Sequence, residues 1–171
     1  ITRKVLEARD DERAWRALRL WKEKITLLLM LLEVLHIEPP ERLARLHTDL
    51  AEVCLRCIAQ RVQRRLEAEC GVPRKGPVGQ GKPLRWTLLG LGGLGGAQVS
   101  HFSDLDVVLI FSAAGRVPGR EGMKALHWFS RLGEEIIGLM SAVSPEGQLF
   151  KVDARLRPEG RNAPLAAPLD R

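Results

Sequence analysis

Asp104 and Asp106 stand two residues apart in the run Ser103-Asp-Leu-Asp-Val-Val-Leu-Ile-Phe111. Side chains alternate along an extended chain, so both carboxylates point to one face of the strand this run predicts. Val107 to Phe111 is apolar at every position, which predicts a central, buried strand with both acids at its leading end. Two like charges brought together out of water are costly unless cations or protons neutralise them. A later segment alternates more cleanly: Phe150, Val152, Ala154 and Leu156 share one face, and Lys151, Asp153, Arg155 and Arg157 share the other. If that ionisable face aligns with the aspartate pair, Asp153 becomes a third carboxylate and the two arginines stand ready to hold phosphate oxygens. Hard oxygen donors of this kind suit Mg2+, which binds through one or two carboxylates together with substrate phosphates.

Between these segments and the strand predicted at Arg85 to Leu89 lies a glycine run, Gly90-Leu-Gly92-Gly93-Leu-Gly95-Gly96. The spacing Gly90, Gly92, Gly95 also fits a dinucleotide fingerprint, but too few residues separate Gly96 from Asp104 for a crossover helix. The run reads instead as a tight turn whose bare amides approach a phosphate, followed by one or two helical turns leading to the Asp-x-Asp strand.

The elements that position these residues fall into two parts. From Asp10 to about Glu69 there is no glycine, and apolar residues recur at helical spacing: Leu18, Trp21, Ile25, Leu28, Leu32 and Leu35, then Leu43, Leu46, Leu50, Val53 and Cys57. His36 to Pro40 separates them, which predicts a helical hairpin with a long second arm. Arg74 to Pro83 is basic and rich in glycine and proline and reads as a loop. Beyond it the strands already named flank a helix over Gly122 to Val143. The expected architecture is α+β: a helical region over residues 1–75, then a mixed sheet with helices over 76–171.

Of 171 residues, 45% are hydrophobic and 28% charged, enough to bury a core and unlike a disordered chain. No apolar run approaches the ~20 residues of a membrane span, and the charged first residues carry no secretory h-region, so no membrane association and a cytoplasmic location are expected. The net charge of +6 is spread without a basic block. Aromatic residues, at 5%, do not interleave with basic ones, so base stacking on nucleic acid has little support. The odd cysteine count predicts free thiols. His47 with Cys54 and Cys57 matches no common zinc spacing, so core packing is expected there. Arg61, Arg64 and Arg65 read as a solvated helix face. Ser103, His101 and Asp104 lie too close in sequence, and lack the elbow motif, for a nucleophilic triad.

Gly90-Leu-Gly-Gly-Leu-Gly-Gly, Ser103-Asp-Leu-Asp-Val-Val-Leu-Ile-Phe111 and Val152-Asp-Ala-Arg-Leu-Arg-Pro-Glu-Gly160, with Pro164-Leu165 after them, resemble the glutamine synthetase adenylyltransferase family. Its motifs run Gly-x-Gly-Lys-Leu-Gly-Gly, Ser-Asp-x-Asp-Leu-Ile-Phe and Val-Asp-x-Arg-Leu-Arg-Pro-x-Gly. The match covers roughly Leu88 to Leu165, and three ordered motifs at compatible spacing are far more specific than one. The resemblance implies a nucleotidyltransferase core of the DNA polymerase beta type, with Asp104, Asp106 and Asp153 holding two Mg2+ ions. It implies nucleotide binding by Gly92, Gly95, Gly96 and Ser103, with Arg155 and Arg157 beside them. ATP is the implied substrate. A tyrosine of glutamine synthetase takes the AMP, a second unit removes it by phosphorolysis, and a PII-type signal protein is an implied partner of the full-length enzyme. Two departures stand out: the family's loop lysine is Gly93 here, and Ala97-Gln98-Val99-Ser100 replaces the stretch that usually holds an acid. They leave open a second reading, a regulatory module that binds nucleotide or glutamine synthetase with weakened catalysis.

Overall fold

The computed structural model describes residues 1–118, 123–154 and 164–170. A short helix α1 (Thr2–Leu6) precedes α2 (Asp11–Val34), which starts where the Asp10 carboxylate accepts the Arg13 N–H at 2.7 Å. Asp11 and Glu12 in its first turn sit favourably at the positive end of the helix dipole. His36, at φ 51°, and Pro39 turn the chain into α3 (Pro40–Cys70), which opens on a proline that has no amide to waste and stops at Gly71. The expected hairpin with a long second arm is present.

Its apolar stripe departs from expectation in the distal half of α2. Leu18 and Leu29 are buried, but Leu28 and Leu35 are exposed, as are Leu27, Leu31 and Val34. The periodicity marks an apolar face there without a described neighbour to cover it. Farther on, α3 buries residues along its length, from Leu43 through Leu50, Cys54, Ile58, Val62 and Leu66 to Cys70, because α2 and a later helix both pack against it.

The second half forms a mixed sheet. β1 (Arg74–Lys75) pairs antiparallel with β4 (Gly115–Arg116), and Arg74 also bridges Pro83, so the expected loop is tied down at both ends. Between these lie β2 (Trp86–Gly90), a single turn α4 (Gly92–Gly95) and β3 (Leu105–Phe111). After them come α5 (Ala125–Ser141), β5 (Val152–Asp153) and β6 (Ala166–Pro168). β3 is the central strand, antiparallel to β2 and parallel to both β5 and β6. Leu105, Val107, Leu109 and Phe111 are buried on one face, where the Phe111 and Phe129 rings stack at 4.6 Å against α5. The other face, carrying Asp106, Val108 and Ile110, is only half-buried. The strand expected over Phe150 to Arg157 is two residues long within the described part. α3 and α5 close the buried side, so one continuous core includes residues from the helical hairpin and the sheet alike. The fold is α+β.

Candidate functional site

The leading end of β3 gathers most of the residues singled out above. Leu105 pairs with Val152 and Asp106 with Asp153, so the two carboxylates occupy adjacent register positions on one face of parallel strands, whose axes lie about 4.8 Å apart. The Leu105 N–H donates to the Lys151 carbonyl at 2.8 Å, which extends the pairing and sets Lys151 beside Asp104. Lys151 and Asp153 of the ionisable face therefore align with the aspartate pair.

The turn before β3 is built against the same carboxylate. The Leu91 N–H donates to the Asp106 carbonyl at 2.9 Å, and Gly92 follows at φ 51°. A Cβ on Gly92 would lie 2.5 Å from Asp106 Oδ2, so only a residue without a side chain lets the carboxylate occupy this place. The expectation that bare glycine amides face a phosphate is corrected for two of them. The Gly95 N–H donates to the Leu91 carbonyl at 3.0 Å and the Gly96 N–H to the Gly92 carbonyl at 2.9 Å, because the chain winds into a helical turn. What Gly95 contributes is close passage, since a Cβ there would stand 2.6 Å from the Gly90 carbonyl oxygen.

Ser103 serves the turn that delivers Asp104. Its Oγ accepts the Ser100 N–H at 2.9 Å and lies 3.0 Å from the Ser100 hydroxyl. The divergent stretch upstream is docked on the helical hairpin: the buried Val99 N–H donates to Thr48 Oγ1 at 3.2 Å, and that hydroxyl donates to the Ala44 carbonyl at 2.8 Å. Thus α3 holds the segment that leads into the carboxylates.

Asp104 stands exposed just before β3, at the lead-in to the same edge. Among the described residues no group of three or more His, Cys, Asp or Glu side chains is placed to hold a metal ion. Asp104 instead accepts a hydrogen bond from Lys151 Nζ at 2.8 Å. The reason is electrostatic: an ammonium one strand away, on the same face, offers Asp104 a counter-charge. The donor chemistry still fits a hard divalent cation, with Asp106 and Asp153 at adjacent register positions and Gly92 leaving room for the Asp106 carboxylate. Arg155 and Arg157 lie outside the described residues. Lys151 is the site residue that sequence reasoning missed, although its place on the ionisable face was visible.

Of the other groups singled out, the arginines depart from expectation. Arg61 and Arg65 are not a solvated face: Arg61 donates to Asp11 at 2.5 Å and to the carbonyls of Val5 and Ala8 at 2.7 and 3.0 Å. Arg65 bridges Asp11 and Glu135, and only Arg64 is exposed. Cys54, Cys57 and Cys70 are free and buried, and burial pushes the Cys54 thiol up to about 12. No helix among the described residues is long and apolar enough to cross a membrane.

The whole chain, residues 1–171, matches the sequence profile of the family described as glutamate-ammonia ligase adenylyltransferase. Similar proteins carry the name bifunctional glutamine synthetase adenylyltransferase/adenylyl-removing enzyme. One from Thioalkalivibrio sulfidiphilus is 37% identical over 123 residues, covering 72% of this chain and 12% of that protein. One from Bordetella pertussis is 30% identical over 153 residues, covering 90% of this chain and 16% of that protein. One from Methylococcus capsulatus is 27% identical over 170 residues, covering 99% of this chain and 18% of that protein. The chain thus spans less than a fifth of the length of these relatives. Matched by that profile from first residue to last, it belongs to the glutamate-ammonia ligase adenylyltransferase family.

Proposed function

We propose that the chain is a nucleotidyltransferase unit, with a core of the DNA polymerase beta type over residues 76–171 and a helical region over 1–75. It transfers AMP between ATP and a tyrosine hydroxyl of glutamine synthetase, in one direction or the other. The observation that carries this reading is the register pair Asp106 and Asp153 on the half-buried face of a mixed sheet, with Gly92 packed against the Asp106 carboxylate. In the attaching direction the tyrosine oxygen bonds to the α-phosphorus of ATP, the bond from that phosphorus to the bridging oxygen breaks, and pyrophosphate leaves. In the removing direction an oxygen of inorganic phosphate bonds to the phosphorus of the AMP group, the bond to the tyrosine oxygen breaks, and ADP leaves. Asp104, Asp106 and Asp153 would hold Mg2+, two ions on the family pattern, which neutralises charge on the phosphoryl oxygens when bound. The chain itself fixes the carboxylates: β3 and β5 set Asp106 and Asp153 side by side, Gly92 lets the Asp106 carboxylate pack against the turn, and Thr48 anchors the segment leading to Asp104. ATP, Mg2+, a PII-type signal protein in the full-length enzyme and a cytoplasmic setting belong to this proposal, with no membrane or nucleic-acid partner.

One observation favours a second reading, a regulatory module with weakened catalysis: the loop lysine of the family is Gly93. The two readings separate in one experiment. The protein is incubated with ATP labelled at the α-phosphate, Mg2+ and glutamine synthetase, and with AMP-modified glutamine synthetase and phosphate in a parallel arm. Transfer or removal by wild type, abolished in Asp106→Asn while the fold persists, supports the enzyme. A wild type that is stabilised by Mg2+ and ATP yet transfers nothing in either arm supports the module. No stabilisation and no transfer sinks both.

A further inference from the structure

The ribbon of β1 and β4, at the trailing end of β3, turns one face to the core and the other to water. Pro73, Leu84, Ala113, Val117 and Ala125 are buried on the first, and alternate positions put Arg74, Arg85, Arg116 and Lys124 on the second. Cross-strand partners share a face: Arg74 pairs with Arg116 and Arg116 bridges Lys124, so three cations stand in a row on neighbouring segments about 4.8 Å apart. Arg85 joins them from the segment in which Pro83 bridges Arg74. None of the four forms an ion pair among the described residues; Arg74 donates to the Gly81 carbonyl at 3.3 Å. We propose that this cationic face docks an acidic patch on the protein substrate, at a distance from the carboxylates. The inference rests on the nucleotidyltransferase reading above, which is what gives the chain a protein substrate.

Like charges directly opposite one another weaken a strand pair, and no described carboxylate offsets them here. The ribbon is nonetheless closely built. A Cβ on Gly115 would collide with the Arg74 carbonyl oxygen, and one on Gly79, at φ 68°, would stand 2.8 Å from the Arg116 carbonyl oxygen. The Ser112 N–H donates to the Arg85 carbonyl at 2.8 Å, which fastens the ribbon to the sheet. The cations are therefore held at set positions, although they come from four separate stretches of sequence and no basic block announces them. The seven residues of β3 put about 20 Å between this face and the carboxylate edge, too far for one nucleotide to touch both. Exposed Pro83, Ala114 and Pro118 lie among the charges, and no described position on the face is aromatic. It thus offers charge with small apolar contacts and nothing on which a base could stack, which favours an acidic protein surface over nucleic acid. Fixed charges of one sign steer an oppositely charged partner and act chiefly on the rate of association.

The test compares wild type with Arg116→Gln/Lys124→Gln and with Arg9→Gln/Arg64→Gln, a control that removes the same charge from exposed positions elsewhere. Binding to immobilised glutamine synthetase is followed by surface plasmon resonance at several salt concentrations, AMP transfer or removal is assayed against glutamine synthetase concentration, and circular dichroism checks that all three proteins fold. The ribbon variant is expected to bind about 10-fold more weakly, mainly through slower association and with a shallower salt dependence. Its KM for glutamine synthetase should rise to match while kcat and the thermal stabilisation by Mg2+ and ATP stay at the wild-type level, and the control should bind within about 2-fold of wild type. Equal binding by wild type and the ribbon variant, or an equal loss in the control, overturns the proposal and leaves the nucleotidyltransferase reading intact. Wild type that binds a duplex DNA more tightly than glutamine synthetase, and loses that binding in the ribbon variant, assigns the face to nucleic acid and overturns the proposal. A wild type that neither binds glutamine synthetase nor transfers AMP in either direction overturns both.

Discussion

Gly92 combines two constraints that no other glycine of the run combines. Its φ of 51° costs an L-residue about 1–2 kcal/mol, and its missing Cβ leaves 2.5 Å to Asp106 Oδ2, which no alanine methyl can share. Gly92→Ala is therefore expected to lower stability by about 1–2 kcal/mol and, by displacing the Asp106 carboxylate from beside Asp153, to remove the stabilisation given by Mg2+ with ATP. Gly93→Ala, with room for its methyl, should melt close to wild type and keep that response. Thermal melts of both variants with and without Mg2+ and ATP check the contrast; equal behaviour would show that the turn does not shape the site. The sequence made the glycines visible as a group, and strand alternation made the carboxylates visible as a set. Which glycine abuts which carboxylate was not legible, because it depends on how β2 hands the chain to β3. Nor was the turn of Asp104 toward Lys151, since alternation assigns a face but not a partner.

At the scale of elements, long periodic helices and the β3 strand were legible because each repeats its pattern over several turns or pleats. Pairings of two or three residues, as in β1, β4 and β6, leave no period to read and are imposed by neighbours. The arginines of α3 were misread for a related reason: helical spacing places them on one face but does not say what lies opposite. Opposite Arg61 lie the carbonyls of Val5 and Ala8 and the carboxylate of Asp11, so it clamps α1 and the start of α2 onto α3. Its side chain is 13% exposed, and Arg61→Ala would strand the acceptors it now serves. A loss of about 1–3 kcal/mol is expected, each kcal/mol moving the melting midpoint of a chain this size about 2–4 °C. Arg64→Ala, on the exposed side, should be nearly silent. Melting curves of the two variants measure the difference, and a silent Arg61→Ala would mean the clamp contributes nothing.

The whole molecule carries a pH dependence that follows from one buried ring. His47, 4% exposed on α3, faces the His101 ring at 5.7 Å, with Glu33 and Lys22 close enough to act on it. Burial, reinforced by His101, holds its pKa below the ordinary 6.5, against a smaller upward pull from Glu33. A histidine held neutral in the fold but free to protonate when unfolded leaves stability unaffected well above 6.5 and erodes it as pH falls below that value. The midpoint should thus drop between pH 7 and 5, and His47→Gln, which cannot protonate, should flatten that slope; an unaltered slope in the variant would assign the loss to other groups.

The order in which β3 acquires its neighbours has a consequence for biosynthesis. Its antiparallel partner β2 precedes it, so that hairpin is available once Phe111 has left the ribosome, and each helix named above is complete by Ser141. The parallel partner that brings Asp153 to Asp106 comes only after the α5 crossover, at Val152–Asp153, and β6 later still. Parallel pairing across such a separation closes a long loop before any contact rewards it. The edge that would do the chemistry is therefore among the last parts of the fold that vectorial synthesis can complete, and a nascent chain arrested after α5 would possess every helix and both strands of the hairpin while still lacking half of its carboxylate pair.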